Sequence, residues 1–230
     1  MIKENKVSKY MLYAIGEIVL VVIGILIALS INNWNESKKL KDNEIQLVKQ
    51  LLIDANADSI FFQDRYTALK GQYTIYENIK LLCTNSLSDK VIKRTIPKRS
   101  QPFITLANQS NFVFNNPNAY DQLSNKSIKL QLQQYISKYE FVNKSIEIFN
   151  HKIEDYFSSI RINYYKEIPQ LFETSSISDF KFLCESENNL GVIKLIQDYS
   201  KNAETHTVNF LENNATFINS LTRYLEKKND

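Results

Sequence analysis

Twenty-one consecutive residues, Met11 to Ile31, carry a single charged side chain, Glu17. As a helix rising 1.5 Å per residue the run reaches about 31 Å, the thickness of a bilayer's hydrocarbon core, so a membrane span is expected there. Tyr10 and Tyr13 at one boundary and Trp34 at the other are interface anchors, amphipathic rings of the kind that settle at headgroup level. A cleavable signal peptide competes with this reading. Lys3, Lys6 and Lys9 form a basic leader, and Ala28-Leu29-Ser30 offers small residues at the two positions a signal peptidase reads. The run is longer than the roughly 7–15 residues of such leaders and holds a carboxylate, which favours a retained anchor.

The chain therefore divides into a basic tail, residues 1–10, a transmembrane helix, 11–31, and a helical domain, 32–230. Lys38, Lys39 and Lys41 follow the span as closely as three lysines precede it, so the positive-inside count is nearly even. A short basic tail before a first hydrophobic segment stays in the cytoplasm. That places the large domain in the periplasm, on a bacterial inner membrane.

Glu17 lies about two turns inside the span, where an ionisable group is expensive and raises a functional hypothesis. Gly24 and Ala28, seven and eleven positions on, fall within about 20° of it around the helix. Gly24 and Ala28 are also a small-xxx-small pair that lets two backbones approach. The face is expected to meet another helix, in a second copy or a different membrane protein. Snorkelling of Glu17 to the headgroups is the structural alternative.

The stretch Lys9-Tyr10-Met11-Leu12-Tyr13-Ala14-Ile15-Gly16-Glu17-Ile18, continuing through Gly24-Ile25 to Ile31-Asn32-Asn33-Trp34-Asn35-Glu36, resembles the N-terminal signature of an uncharacterised single-pass membrane-protein family of Bacteroidota. A weaker likeness lies at Asn116-Pro117-Asn118-Ala119-Tyr120-Asp121-Gln122-Leu123, where the family has a loop entering a helix. Relatives often carry a glycine soon after that leucine, whereas this chain reads Ser124-Asn125-Lys126. The resemblance implies an inner-membrane protein with a helical extracytoplasmic domain and supplies no activity.

Beyond the anchor, four glycines and four prolines in the whole chain are too few for the turns of a many-stranded sheet, and 43% apolar residues suffice for a core. The class expected is all-α. Leu47, Leu51, Ala55, Asp58, Phe62, Tyr66, Leu69, Tyr73 and Tyr76 follow steps of three and four, with Asp58 the polar exception. This helix is expected to bend at Gly71 and end near Ser86-Leu87-Ser88. A second long helix runs from Ser127 to Lys166, closed by Pro169 and preceded by a short one capped by Asn118. A short helix with Phe180 and Leu183 and a long one over Asn189–Lys227 complete an expected antiparallel bundle.

Cys83 and Cys184 sit beside apolar residues and are read first as buried thiols, with a single disulfide as the alternative if the domain lies outside the cytoplasm. Glu147, His151, Glu154 and Asp155 share a helix face with metal-ligand spacing, but His206 lacks a Glu-x-x-His companion, so a solvated face is expected and no metal. With no phosphate loop and no base-and-orienter pattern, neither cofactor nor catalysis is expected. Twenty-eight cations against 25 anions give no charge-based case for nucleic acid. Lys90, Lys93, Arg94, Lys98 and Arg99 form a basic loop suited to headgroups or an anionic envelope polymer. The leading expectation is a membrane-tethered scaffold or interaction protein whose partners are the bilayer and a second copy or another membrane protein. The alternative is an accessory subunit of an ion-driven or transport assembly in which Glu17 titrates.

Overall fold

The computed structural model describes residues 6–84, 105–164 and 177–229, and among them it is helical with no strand. The elements are α1 (Lys6–Cys83), α2 (Asn111–Asn115), α3 (Ala119–Gln122), α4 (Lys126–Asn163), a 3-10 segment (Ile177–Glu185) and α5 (Glu187–Asn229). Contacts divide the chain into two compact units, Met1–Val48 and Lys49–Asp230.

In the N-terminal unit every side chain from Tyr10 to Trp34 is exposed, and α1 is long and apolar enough to cross a membrane. An exposed apolar surface of this length marks a protein or membrane contact.

The C-terminal unit buries the apolar stripes that the period of three and four marks. Leu51, Ala55, Phe62, Leu69 and Tyr76 of α1 are closed to solvent, as are Leu132, Tyr135, Val142, Ile146 and Phe149 of α4 and Phe210, Phe217 and Leu221 of α5. Aromatic rings fill the centre. Phe62 meets Phe210 at 4.5 Å between centroids, Tyr135 meets Phe210 at 5.1 Å, and Phe112 meets Tyr135 at 4.5 Å. These tilted and edge-on pairs add to area burial by about 0.5–1.5 kcal/mol each.

Polar side chains of α5 set its register on α1. Asn214 Nδ2 donates to the Ala55 carbonyl at 2.8 Å, and Ser200 Oγ donates to the Leu69 carbonyl at 2.9 Å, so α5 runs against α1. Tyr135 of α4 packs near Phe217 and Phe141 near His206, so α5 runs against α4 as well. Asp58 meets Tyr135, and Phe62 meets Tyr139, which gives α1 and α4 the same sense.

Several boundaries differ from expectation. Helix α1 is described to Cys83, after which Thr84 donates its amide and hydroxyl to the Lys80 carbonyl, and Ser86-Leu87-Ser88 lie outside the described residues. It is continuous through Gly71, around which nothing lies within 4 Å of an added Cβ. Helix α4 ends at Asn163, and Pro169 lies outside the described residues. Asn118 does stand at the start of α3, but its side chain makes no cap hydrogen bond. Helix α2 had no sequence forecast. Its N-cap, Ser110, accepts from the Val113 amide at 3.1 Å.

The first reading of the cysteines is corrected. Cys83 and Cys184 form a disulfide across a sequence separation of 101, with Cα atoms 5.0 Å apart. Of their apolar neighbours Leu183 is buried, whereas Leu81, Leu82, Phe182 and the cysteines themselves stand half-buried where the last turn of α1 meets the 3-10 segment.

Candidate functional site

The face foreseen on α1 lies open along its length. Glu17 is exposed and borders a shallow depression formed with Ala14, Ile18, Val21 and Val22. An added Cβ on Gly24 would meet nothing within 4 Å, and Ala28 is exposed. Tyr10, Tyr13 and Trp34 are exposed at the two ends of the apolar run, and Lys38 Nζ stands 5.7 Å from the Trp34 ring centre. A cation near an indole face is a favourable pairing. The basic stretch with Lys90, Lys93, Arg94, Lys98 and Arg99 lies outside the described residues.

The acidic face of α4 consists of exposed ion pairs. Asn143 donates to Glu147 at 2.9 Å, Lys144 lies 3.6 Å from the same carboxylate, and His151 and Lys152 both lie 3.6 Å from Asp155. His206 is on α5, stacked on Phe141 at 5.8 Å and 12°. Among the described residues no group of three or more His, Cys, Asp or Glu could hold a metal ion.

The most elaborate polar constellation was not foreseen. Asp58, fully buried in α1, accepts hydrogen bonds from the Ser110 hydroxyl, from the amides of Asn111 (2.8 Å) and Phe112 (3.3 Å), and from the Tyr135 hydroxyl at 2.6 Å. Its carboxylate thereby sits at the start of α2, where free amides and the helix dipole favour a negative charge. One turn earlier, Asp54 accepts from Gln50 at 3.1 Å, Asn115 at 3.2 Å and Asn116 at 2.8 Å. Two acids of α1, four residues apart, thus hold both ends of α2. Burial, then the neighbouring Asp58 charge, push the Tyr135 hydroxyl far above its ordinary pKa. A carboxylate closed to solvent and filled by four donors is built to organise the segment, with no lone pair turned to a substrate. The sequence signal was the single polar residue in the α1 stripe. Its partners lie 52 to 77 positions away, beyond the reach of periodicity.

Farther along α1, Glu77 accepts from Lys80 at 2.8 Å and from Gln197 of α5, and these bonds, Lys80 first, hold its carboxyl below the usual range.

Comparison with known proteins adds little chemistry. The chain is 24% identical over 157 residues to an uncharacterised serpin-like protein of fowlpox virus (strain NVSL), a match covering 68% of this chain. It spans 42% of that relative's length. No solved structure matches. Residues 17–214, from Glu17 of the apolar helix to Asn214 of the core, match a family described as of unknown function, and the chain belongs to that family, DUF6090.

Proposed function

We propose that the chain is a membrane-anchored interaction or scaffold protein of the bacterial cell envelope, without catalytic activity. In this reading residues 11–31 span the inner membrane once and residues 1–10 stay in the cytoplasm. The C-terminal unit, a helical bundle in which α5 runs against both α1 and α4, stands in the periplasm. The observation that carries the reading is the apolar length of α1, exposed from Tyr10 to Trp34, on which Glu17, Gly24 and Ala28 share one face. A second copy or another membrane protein meets the chain there, and the face offers close backbone approach beside one hydrogen-bonding carboxyl. The Cys83–Cys184 disulfide supports the compartment, since such bonds persist in the periplasm and are rare in the cytosol.

Crosslinking in native membranes, followed by identification of what is trapped, tests this. A homo-oligomer or hetero-complex that is lost in Gly24→Leu is expected; a monomeric anchor indifferent to that substitution would refute it. The exposed Glu17 carboxyl on an apolar helix also supports a second reading, an accessory subunit of an ion-driven or transport assembly. There Glu17→Gln keeps the complex and abolishes its activity, whereas in the scaffold reading it weakens assembly alone.

A further inference from the structure

At one end of the C-terminal unit the start of α4 and the last turns of α5 enclose a cleft of about 300 Å³. Arg223 and Lys227 of α5 line it, together with Ser127 and Gln131 of α4, Ser220 of α5 and the α4 cap residue Asn125. None of the lining side chains is acidic. Elsewhere in the unit several cations do stand beside carboxylates, as Lys80 does with Glu77, Lys152 with Asp155, Lys194 with Asp198 and Lys201 with Glu204. Two cations left facing a cleft raise the local concentration of counter-anions.

The backbone adds donors. The Ile128 amide bonds the Asn125 side chain at 3.1 Å and the Lys129 amide bonds the Asn125 carbonyl at 3.0 Å, which leaves the amides of Lys126 and Ser127 without an intrahelical acceptor. The positive end of a 38-residue helix therefore opens beside a guanidinium, an ammonium and the Ser127 hydroxyl. Gln131 lines the cleft through its exposed part, while its Oε1 is closed to solvent. A guanidinium's fork, two amides and hydroxyls match the several oxygens of a phosphate group better than a single carboxylate.

We propose that this cleft is a binding site for a phosphate-bearing anion, either a phosphorylated small molecule or the phosphodiester headgroup of an anionic phospholipid.

The full chain in neutral detergent supplies the test, with thermal unfolding followed in chloride and in inorganic phosphate at equal ionic strength. In parallel, amide exchange of residues 126–131 is followed in vesicles of phosphatidylcholine with and without phosphatidylglycerol. A phosphate-specific rise in midpoint, or protection of those amides only with phosphatidylglycerol, is expected, and which arm responds identifies the source. The paired Arg223→Gln and Lys227→Gln variant should weaken the response at least about tenfold, the loss typical of removing charge-assisted hydrogen bonds. Ser127→Glu should abolish it while leaving the fold at least as stable, since a carboxylate in the first turn of α4 suits the helix dipole. No response beyond that of chloride in either arm would overturn the proposal. So would substitutions that lower the midpoint equally in chloride and phosphate, which would assign Arg223 and Lys227 to the C-terminal dipole of α5 alone.

Discussion

Asp58 concentrates four donors on one buried carboxylate, so its removal strands several polar groups at once. Each buried group left without its partner costs about 1–3 kcal/mol. Asp58→Ala is expected to lose at least about 3 kcal/mol in denaturant unfolding and to loosen α2, whereas Tyr135→Phe, which removes one donor, should lose about 1.5 kcal/mol. The buried tyrosines also set an alkaline limit. Burial raises the hydroxyls of Tyr76, Tyr135 and Tyr156 above their ordinary value, so the unfolded chain releases those protons first. Stability from this source is complete below about pH 10 and falls as pH rises beyond it, by about 1.4 kcal/mol per unit for each tyrosine kept neutral in the fold. A pH series in wild type and Tyr135→Phe should show a shallower alkaline decline in the variant. At this scale the sequence was half legible. Asp58 stood out as the polar break in an apolar stripe, but a stripe says only that a position faces inward, and Ser110 and Tyr135 reach it through the tertiary fold.

Elements were legible where burial follows a period and illegible where side chains substitute for backbone pairing. The three and four spacing located α1, α4 and α5 because one face of each fills the core, with boundaries off by a few residues where caps decide them. Residues 105–110 have no such period. They are held by Asn150, whose side chain accepts from the Leu106 amide at 2.7 Å and donates to its carbonyl at 2.8 Å, in the way a neighbouring strand would. Asn108 bonds the Asn143 side chain at 2.6 Å, and Arg65 donates to the Ala107 carbonyl at 3.2 Å from α1. These clamps are drawn from a chain rich in asparagine, and composition does not separate them from the solvent-exposed asparagines. Asn150→Ala leaves both backbone groups of Leu106 unpaired and is expected to cost about 2 kcal/mol. Native-state amide exchange should then show residues 105–110 opening well below the free energy of global unfolding while the centres of α4 and α5 stay protected.

For the whole molecule the disulfide links a stability argument to a topological one. Cys83 and Cys184 close a loop of about 100 residues, which in the chain-entropy account restricts the unfolded ensemble by about 4–5 kcal/mol. Sequence alone left the pairing open, because two cysteines in apolar surroundings are equally suited to burial as thiols, and only the meeting of the α1 terminus with the 3-10 segment brings their Cα atoms to 5.0 Å. Replacing both by serine is expected to lower stability by about 4 kcal/mol, measured against the oxidised chain under identical conditions. The same pair reports the orientation that a nearly even lysine count cannot. If the C-terminal unit stands in the periplasm, cells lysed in the presence of a membrane-permeant maleimide should yield chain that is unlabelled until a reductant is added, and cells lacking periplasmic disulfide formation should yield labelled chain. Two labelled thiols per chain in wild-type cells, without reductant, would put the unit in the cytoplasm and remove the envelope function proposed for it. The stability lost in the serine variant would be unaffected by that result, since it belongs to the fold and the labelling belongs to the compartment.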